Sequence, residues 1–164
     1  MIILGIDPGT LECGYGILEI KNRTITGAGC NVIRIDRELS LPLKLVEIYN
    51  EISKIADDYQ PDVAAVESIF YGKNISSAFT LGHARGVILL ALAEKGIQIN
   101  EYSPREVKKS VVGNGNASKE QIQYMLKKIL NLSSEFVSQD ASDALAIALC
   151  HFNKIKFLVN VAER

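Results

Sequence analysis

The sequence is poor in the residues that build disulfide scaffolds and zinc sites. It has no tryptophan, two histidines and three cysteines among 164 residues. Cys13, Cys30 and Cys150 are widely scattered and form no CxxC pair. This pattern argues against both a disulfide framework and a structural zinc site.

Targeting and membrane signals are also missing. The first residues lack the basic start of a signal peptide. We find no apolar run that is long enough to span a bilayer. The sequence therefore predicts a cytoplasmic protein with no membrane partner.

The charge of the chain is nearly balanced, but its distribution is uneven. The formal net charge is −1. Residues 1–70 carry 6 basic and 11 acidic side chains, whereas residues 71–128 carry 9 and 4. A basic middle segment is compatible with a surface that follows phosphates, although ordinary solvated helices often look the same. With 48% apolar residues and no repeat or linker, the sequence predicts one globular domain over residues 1–164.

Two apolar segments each end in a carboxylate. Residues 2–6 read as a buried strand that leads to Asp7, followed by a turn at Pro8 and Gly9. Residues 63–66 read as a second buried strand that leads to Glu67. We expect these strands to be neighbours, so that the two acids lie together. The alternative for each acid is a cap that binds nearby backbone amides.

The order of the predicted elements indicates an α/β fold with a five-stranded mixed sheet flanked by helices. The first three strands follow one another through short turns and are predicted to be antiparallel. Helical spacing and capping signals then predict the helices. The remaining predicted strands are 24–35, 63–66 and 97–99. The predicted helices are 41–58, 76–94, 104–112, 118–130 and a last helix from about 138 through Cys150.

A second acidic pair lies in the last predicted helix. Asp140 and Asp143 are three residues apart, which places them on one helical face. The alanines that follow leave room for close packing on the sheet. If the helix crosses the strand ends, four carboxylates converge and repel unless cations bind them. Two Mg²⁺ ions roughly 3.5–4 Å apart, or Mn²⁺ in their place, would make a phosphodiester-cleaving site. Asp140 alone could be explained as an acid favoured at a helix start.

At this level of detail the sequence resembles the RuvC-type Holliday junction resolvases of the RNase H-like superfamily. The resemblance rests on five blocks in order, which are residues 5–16 (GIDPGT to GYG), 67–74 (ESIFYGKN), 81–86 (LGHARG), 107–113 (VKKSVVG) and 140–148 (DASDALAIA). It implies that the four acids are catalytic metal ligands. It also implies a homodimer that nicks two opposed strands of a four-way DNA junction symmetrically and leaves 5′-phosphate and 3′-hydroxyl ends. A RuvA–RuvB branch-migration complex is the implied partner.

Aromatic and basic side chains near these blocks are candidates for DNA contacts. Phe70 and Tyr71 fall in a predicted loop that begins directly after Glu67 and includes Lys73, and an exposed aromatic ring there could stack on an unpaired base. The resemblance makes Phe70 the wedge at the junction centre. The alternative is that both rings fold into the core, as most phenylalanines do. A basic group surrounds the segment 113–116 and is predicted to bind phosphates, namely Arg105, Lys108, Lys109 and Lys119.

Three other functions remain open at this stage. A related nuclease of the same superfamily could act on other branched DNA. An actin-like ATP-binding domain opens with a similar hairpin, but it needs two such domains and does not require the Asp140–Asp143 pair. A junction-binding protein without catalysis would not need all four acids.

Overall fold

The computed structural model describes residues 1–68, 75–133 and 135–162. The elements along the chain are β1 (Ile2–Asp7), β2 (Glu12–Lys21), β3 (Thr24–Arg34), α1 (Leu41–Tyr59), β4 (Val63–Glu67), α2 (Ile75–Glu94), β5 (Gln98–Tyr102), α3 (Pro104–Val112), α4 (Lys119–Leu130) and α5 (Gln139–Ala162).

These strands form one mixed sheet in the order β3-β2-β1-β4-β5. The first three strands are antiparallel, while β4 and β5 run parallel to β1. The predicted α/β fold with three antiparallel strands first is therefore confirmed. Because β1 and β4 are adjacent and parallel, their carboxyl ends meet at the same edge of the sheet.

One face of the sheet is covered by α5, and glycines let the helix backbone touch the strands. A Cβ atom at Gly5 would lie 2.1 Å from the carbonyl oxygen of Ala144, and one at Gly14 would lie 1.9 Å from that of Asp140. A Cβ at Gly16 would lie 2.6 Å from the Cα of Leu145. No larger residue fits at these positions without moving α5. The close packing expected of the alanine-rich helix is confirmed.

The opposite face carries α1 and α2 and is packed by branched aliphatic side chains. Ile48 and Ile52 of α1 and Ile88 and Leu92 of α2 are fully buried there. They meet a row of strand residues that includes Leu4, and side chains rather than backbones fill the interface. Burial of apolar surface is therefore what stabilises this side.

Capping residues in the sequence predicted the ends of several helices correctly. Ser103 and Ser118 each form a complete capping box, with Glu106 and Gln121 respectively. Gly96 ends α2 with a φ of 70°, as its position after the helix predicts. The fifth strand is longer than predicted, because Gln98–Tyr102 pairs with β4 along its whole length. The last helix also continues well past Cys150.

The apolar character of α2 corrects one expectation. By length and composition alone, Ser76–Glu94 is long and apolar enough to cross a bilayer. The expectation that no segment does so is therefore wrong by this criterion. In the fold, α2 packs on α1 and the sheet, and its Arg85 pairs with Glu101 of β5. Part of its apolar surface nevertheless faces outwards, including Phe79 and Leu90.

Candidate active site

Two of the predicted acids meet at the carboxyl ends of the central strands. Ile6 and Val66 are paired between β1 and β4, so the next residues, Asp7 and Glu67, lie side by side. They are close enough for the charge of Glu67 to raise the pKa of Asp7. The predicted adjacency of these strands is therefore correct.

The first turn of α5 brings the other two acids to the same place. One oxygen from each of Asp7, Asp140 and Asp143 lies within 4.8 Å of the other two. All four acids line one cleft of ≈ 320 Å³, together with side chains from α3, α4 and α5. Gly14 contributes indirectly, because its missing side chain lets the backbone at Asp140 lie on β2.

The surroundings of the cleft raise the pKa values of all four acids. Burial, followed by the charges of Glu67, Asp143 and Asp140, raises the pKa of Asp7 from 3.8 to about 8. Burial also raises the pKa values of Glu67 and Asp143, and it does the same for Asp140 with help from the charge of Glu12. A cluster of carboxylates held in this way is stabilised by a divalent cation or by protons.

Two lysines face the acids from the other side of the cleft. Lys108 of α3 and Lys119 at the start of α4 both line it. Their charges oppose the rise in the pKa of Glu67 and Asp143. Neither makes an ion pair among the described residues, so both ammonium groups are available to an anion that enters the cleft.

Two residues at the rim of the cleft were not predicted. Gln139 donates a hydrogen bond from Nε2 to Asp143 Oδ2 at 3.4 Å and so helps to orient that carboxylate. Glu12, the first residue of β2, adds negative charge beside Asp140. The spacing of four between Gln139 and Asp143 could have revealed the first contact. Nothing local in the sequence links Glu12 to Asp140.

The predicted DNA contacts fall into three groups. Lys108 and Lys119 lie in the cleft, as described. Arg105 and Lys109 are exposed on another face of α3, where the Arg105 side chain packs over Gly115. Phe70, Tyr71 and Lys73 lie outside the described residues.

Comparison with known proteins identifies the family. Residues 3–151 match the model of the family described as crossover junction endodeoxyribonuclease RuvC. The chain belongs to the RuvC family. It is therefore an endonuclease that acts at DNA crossover junctions, and its five-stranded mixed sheet with flanking helices matches the RNase H-like fold of this family.

Curated RuvC relatives cover nearly all of the chain. The crossover junction endodeoxyribonuclease of Dehalococcoides mccartyi is 46% identical over 157 residues, which are 96% of this chain and 94% of that protein. The enzyme of Natranaerobius thermophilus is 44% identical over 151 residues, which are 92% and 94% of the two chains.

Solved RuvC structures agree with this assignment. Thermus thermophilus RuvC in complex with a Holliday junction substrate superposes with a TM-score of 0.88 and 28% identity, over 96% of each chain. A second structure of Thermus thermophilus RuvC gives a TM-score of 0.85 over the same share of each chain. A yeast mitochondrial Holliday junction resolvase shares the fold alone, with a TM-score of 0.65 and 14% identity.

Proposed function

We propose that Asp7, Glu67, Asp140 and Asp143 are the catalytic acids and that they hold two divalent cations. Mg²⁺ is the cation that we expect in the cell, with Mn²⁺ able to replace it. The chain, as a single domain, would then cut four-way DNA junctions in this cleft. The observation that carries the proposal is the convergence of four carboxylates that cannot all ionise by themselves.

The donor set suits a hard cation. Among the described residues, the lining of the cleft offers carboxylate oxygens and no histidine or cysteine. Oxygen ligands favour Mg²⁺ and Mn²⁺ over zinc. When bound, such ions supply a water of lowered pKa and neutralise charge on the reacting phosphate.

The protein's own side chains would position the DNA and the acids. Lys108 and Lys119 would draw a backbone phosphate towards the carboxylates, which a purely acidic cleft would repel. The Gln139 amide would keep Asp143 turned into the cleft. Phosphate contacts of this kind carry little sequence information, so any cutting preference must come from other residues.

Two copies of the chain related by a twofold axis would place two such clefts for two symmetric cuts. Helix α2 offers a surface for this dimer. Its residues Phe79, His83, Gly86 and Leu90 are exposed along one stripe of the helix. Phe79 is 68% exposed and Leu90 is 52% exposed. Among the described residues, a Cβ at Gly86 would meet nothing within 4 Å, so another helix can approach closely there. We therefore infer that α2 packs against α2 of a second copy.

The relatives support the substrate of this proposal. The Thermus thermophilus protein was solved with a Holliday junction substrate, and a junction has the twofold symmetry that two clefts require. Nicking would leave 5′-phosphate and 3′-hydroxyl ends in the cytoplasm, and a RuvA–RuvB complex would present the junction.

Cleavage of a synthetic four-way junction with labelled arms tests the active site. With Mg²⁺ we expect paired, symmetric nicks that disappear with EDTA and in the variant Asp143→Asn. Lys119→Ala should cut more slowly, whereas Lys44→Ala, in α1 on the other face, should cut like the parent protein. Cleavage by Asp143→Asn at the parent rate would refute the acid assignment. Cleavage of linear duplex as fast as of the junction would refute the substrate.

Analytical ultracentrifugation tests the dimer. Leu90→Arg should convert the protein to a monomer, because it places a charge in the apolar stripe. The matched variant Leu158→Arg changes an equally exposed leucine on α5 and should remain a dimer. A Leu90→Arg protein that still sediments as a dimer would move the interface away from α2.

A further inference from the structure

The outer edge of β3 is open for hydrogen bonding. Among the residues that the structure describes, β3 pairs with β2 alone. The Ile35 amide binds the Leu11 carbonyl of the hairpin at 2.9 Å, whereas the Val32 amide binds the side chain of its neighbour Asn31 at 2.8 Å. Because amide directions alternate along a strand, the amides of Ala28 and Cys30 also point away from β2.

This edge lacks the features that normally block it. Between Thr24 and Ile33 the strand has no charged residue and no proline. Natural edge strands of this length are usually protected by lysine, proline, strong bulges or a covering element. The one register irregularity lies near Gly27, towards the start of the strand. Five residues beyond it therefore present a regular, uncharged edge.

A pocket lies beside the same edge on the face away from α5. It measures ≈ 410 Å³ and is lined by Gly27 and Gly29 of β3 and by Tyr15 and Tyr59. The two tyrosine rings are 6.5 Å apart between centroids. Among the described residues, a Cβ at Gly29 would meet nothing within 4 Å, so none of their atoms fills the space above it.

The pocket lies on the face of the sheet to which a strand added at the open edge would point alternate side chains. Gly14 and Gly16 face α5, so Tyr15 and Ile17 face the pocket, and their partners are Asn31 and Gly29. A strand added next to β3 would point alternate side chains to this same face. One of these side chains would therefore lie over the glycines and enter the pocket.

A second β3 does not fill this pocket. Residues opposite each other in a ladder point to the same face, so a pairing that sets equivalent residues opposite each other would bring Gly27 and Gly29 of the second copy to the pocket, and glycine has no side chain to fill it. A pairing shifted by two or four residues would bring Asn31, which is polar, or Ile33, which is buried in its own core. The pocket instead suits an aromatic or large aliphatic residue of a different segment.

The charges around the pocket indicate the rest of the occupant's chemistry. Glu19 lies against Gly27, with Oε2 3.0 Å from the position of a Cβ there. The adjoining cleft adds three carboxylates and two cations, namely Glu47, Glu51, Asp58, Lys54 and Arg34. Arg34 is paired with Glu12 at 3.5 Å. Four carboxylates against two cations favour a basic peptide and disfavour a nucleic-acid backbone.

We propose that β3 and the Tyr15–Tyr59 pocket form a docking site for an extended segment of a partner protein. The segment adds to the sheet as a sixth strand, places an aromatic or large aliphatic side chain in the pocket beside the two tyrosines, and carries lysine or arginine near its ends. This mode of recognition takes its affinity from backbone hydrogen bonds and its selectivity from the pocket. None of the residues involved lines the cleft of acids, so the docked partner leaves that cleft open.

A designed peptide tests the site. The probe has nine residues, alternates threonine with valine, places phenylalanine at its centre and has lysine at both ends. On titration we expect the amides of Ala28 and Cys30 to shift in NMR spectra and to gain protection from hydrogen exchange. Replacement of the central phenylalanine by glycine should weaken binding at least tenfold.

Variants of Gly29 supply the matched controls. Gly29→Leu extends a side chain into the pocket from a Cβ that meets no described atom within 4 Å, and it should reduce peptide binding at least tenfold, while Gly29→Ala should retain most of it. Ala28→Pro removes an outward amide but no bond to β2, so it should reduce binding independently of the pocket. Junction cleavage should be unchanged in all three variants.

Three outcomes would overturn the proposal. One is that the peptide gives no protection of the Ala28 and Cys30 amides at millimolar concentration. Another is that Gly29→Leu and Ala28→Pro bind the peptide as the parent protein does. The third is that the peptide inhibits junction cleavage in competition with DNA, which would place it in the cleft of acids.

Discussion

The two faces of the sheet are packed in different ways. The packing on one face positions the acids, whereas the packing on the other mainly stabilises the fold. On the α5 face, Gly5, Gly14 and Gly16 let strand and helix backbones touch. On the α1–α2 face, side chains such as those of Ile52 and Ile88 interdigitate. Because close backbone contact leaves no room for a shift, α5 has a fixed position on the sheet. This fixes two of the four acids, which α5 carries. An interface of aliphatic side chains can relax by small shifts without moving the cleft.

The largest expected effect comes from adding a side chain on the α5 face. Gly14→Val should reduce junction cleavage by about 100-fold or more, because displacement of reacting groups by about 1 Å has that effect. The cause is the Cβ position, 1.9 Å from the Asp140 carbonyl oxygen. Initial cleavage rates of folded protein, checked by circular dichroism, provide the measurement.

Gly29→Val is the control for that prediction. It makes the same change on the next strand, where a Cβ meets nothing within 4 Å. It should cut at the parent rate. If both valine variants lost activity equally, close backbone packing would not explain the position of α5.

An intermediate effect should appear in the stability of the metal-free protein. The pKa of Asp7 is raised from 3.8 to about 8 in the folded state. A raised pKa of this kind contributes stability below pH 4 that is lost as the pH rises towards 8. Asp7→Asn mimics the protonated acid and should therefore melt at least about 5 °C higher than the parent at pH 8.5 in EDTA, at about 2–4 °C per kcal/mol.

The same comparison at low pH checks the cause. Near pH 4 the parent holds the proton on Asp7, so the two melting temperatures should converge. A constant difference at both pH values would point to altered packing rather than to ionisation. Addition of Mg²⁺ at pH 8.5 should stabilise the parent more than Asp7→Asn.

The smallest effect is expected on the α1–α2 face. Ile52 is fully buried, and Ile52→Val should lower the free energy of unfolding by about 0.5–1.5 kcal/mol. Denaturant unfolding measures this loss. Cleavage below the melting temperature should be unchanged, and a large loss of cleavage would show that this face also positions the acids.

Features that depend on local signals were predictable from the sequence. The capping boxes at Ser103 and Ser118 and the acids at two strand ends needed only neighbouring residues. The length of β5 was not predictable in this way, since pairing with β4 decides it. The outward apolar stripe of α2 was also missed, because burial depends on where the other elements lie.

The candidate site shows the same division. Asp140 and Asp143 could be assigned to one face from their spacing, whereas their approach to Asp7 depends on glycines in β1 and β2. Arg105 and Lys109 were grouped with Lys108 by sequence proximity, yet the turn of α3 directs them away from the cleft. The assignment of the four acids as catalytic residues stays a prediction for the cleavage experiment.

The position of α5 along the chain has a consequence for biosynthesis. Asp7 and Glu67 emerge early from the ribosome, but α5 begins only at Gln139. Since α5 covers a whole face of the sheet and supplies two of the acids, a nascent chain without it has neither a completed core nor a completed cleft. Partly synthesised chains are therefore expected to be inert towards DNA, and nuclease activity should arise in one step when the final helix docks.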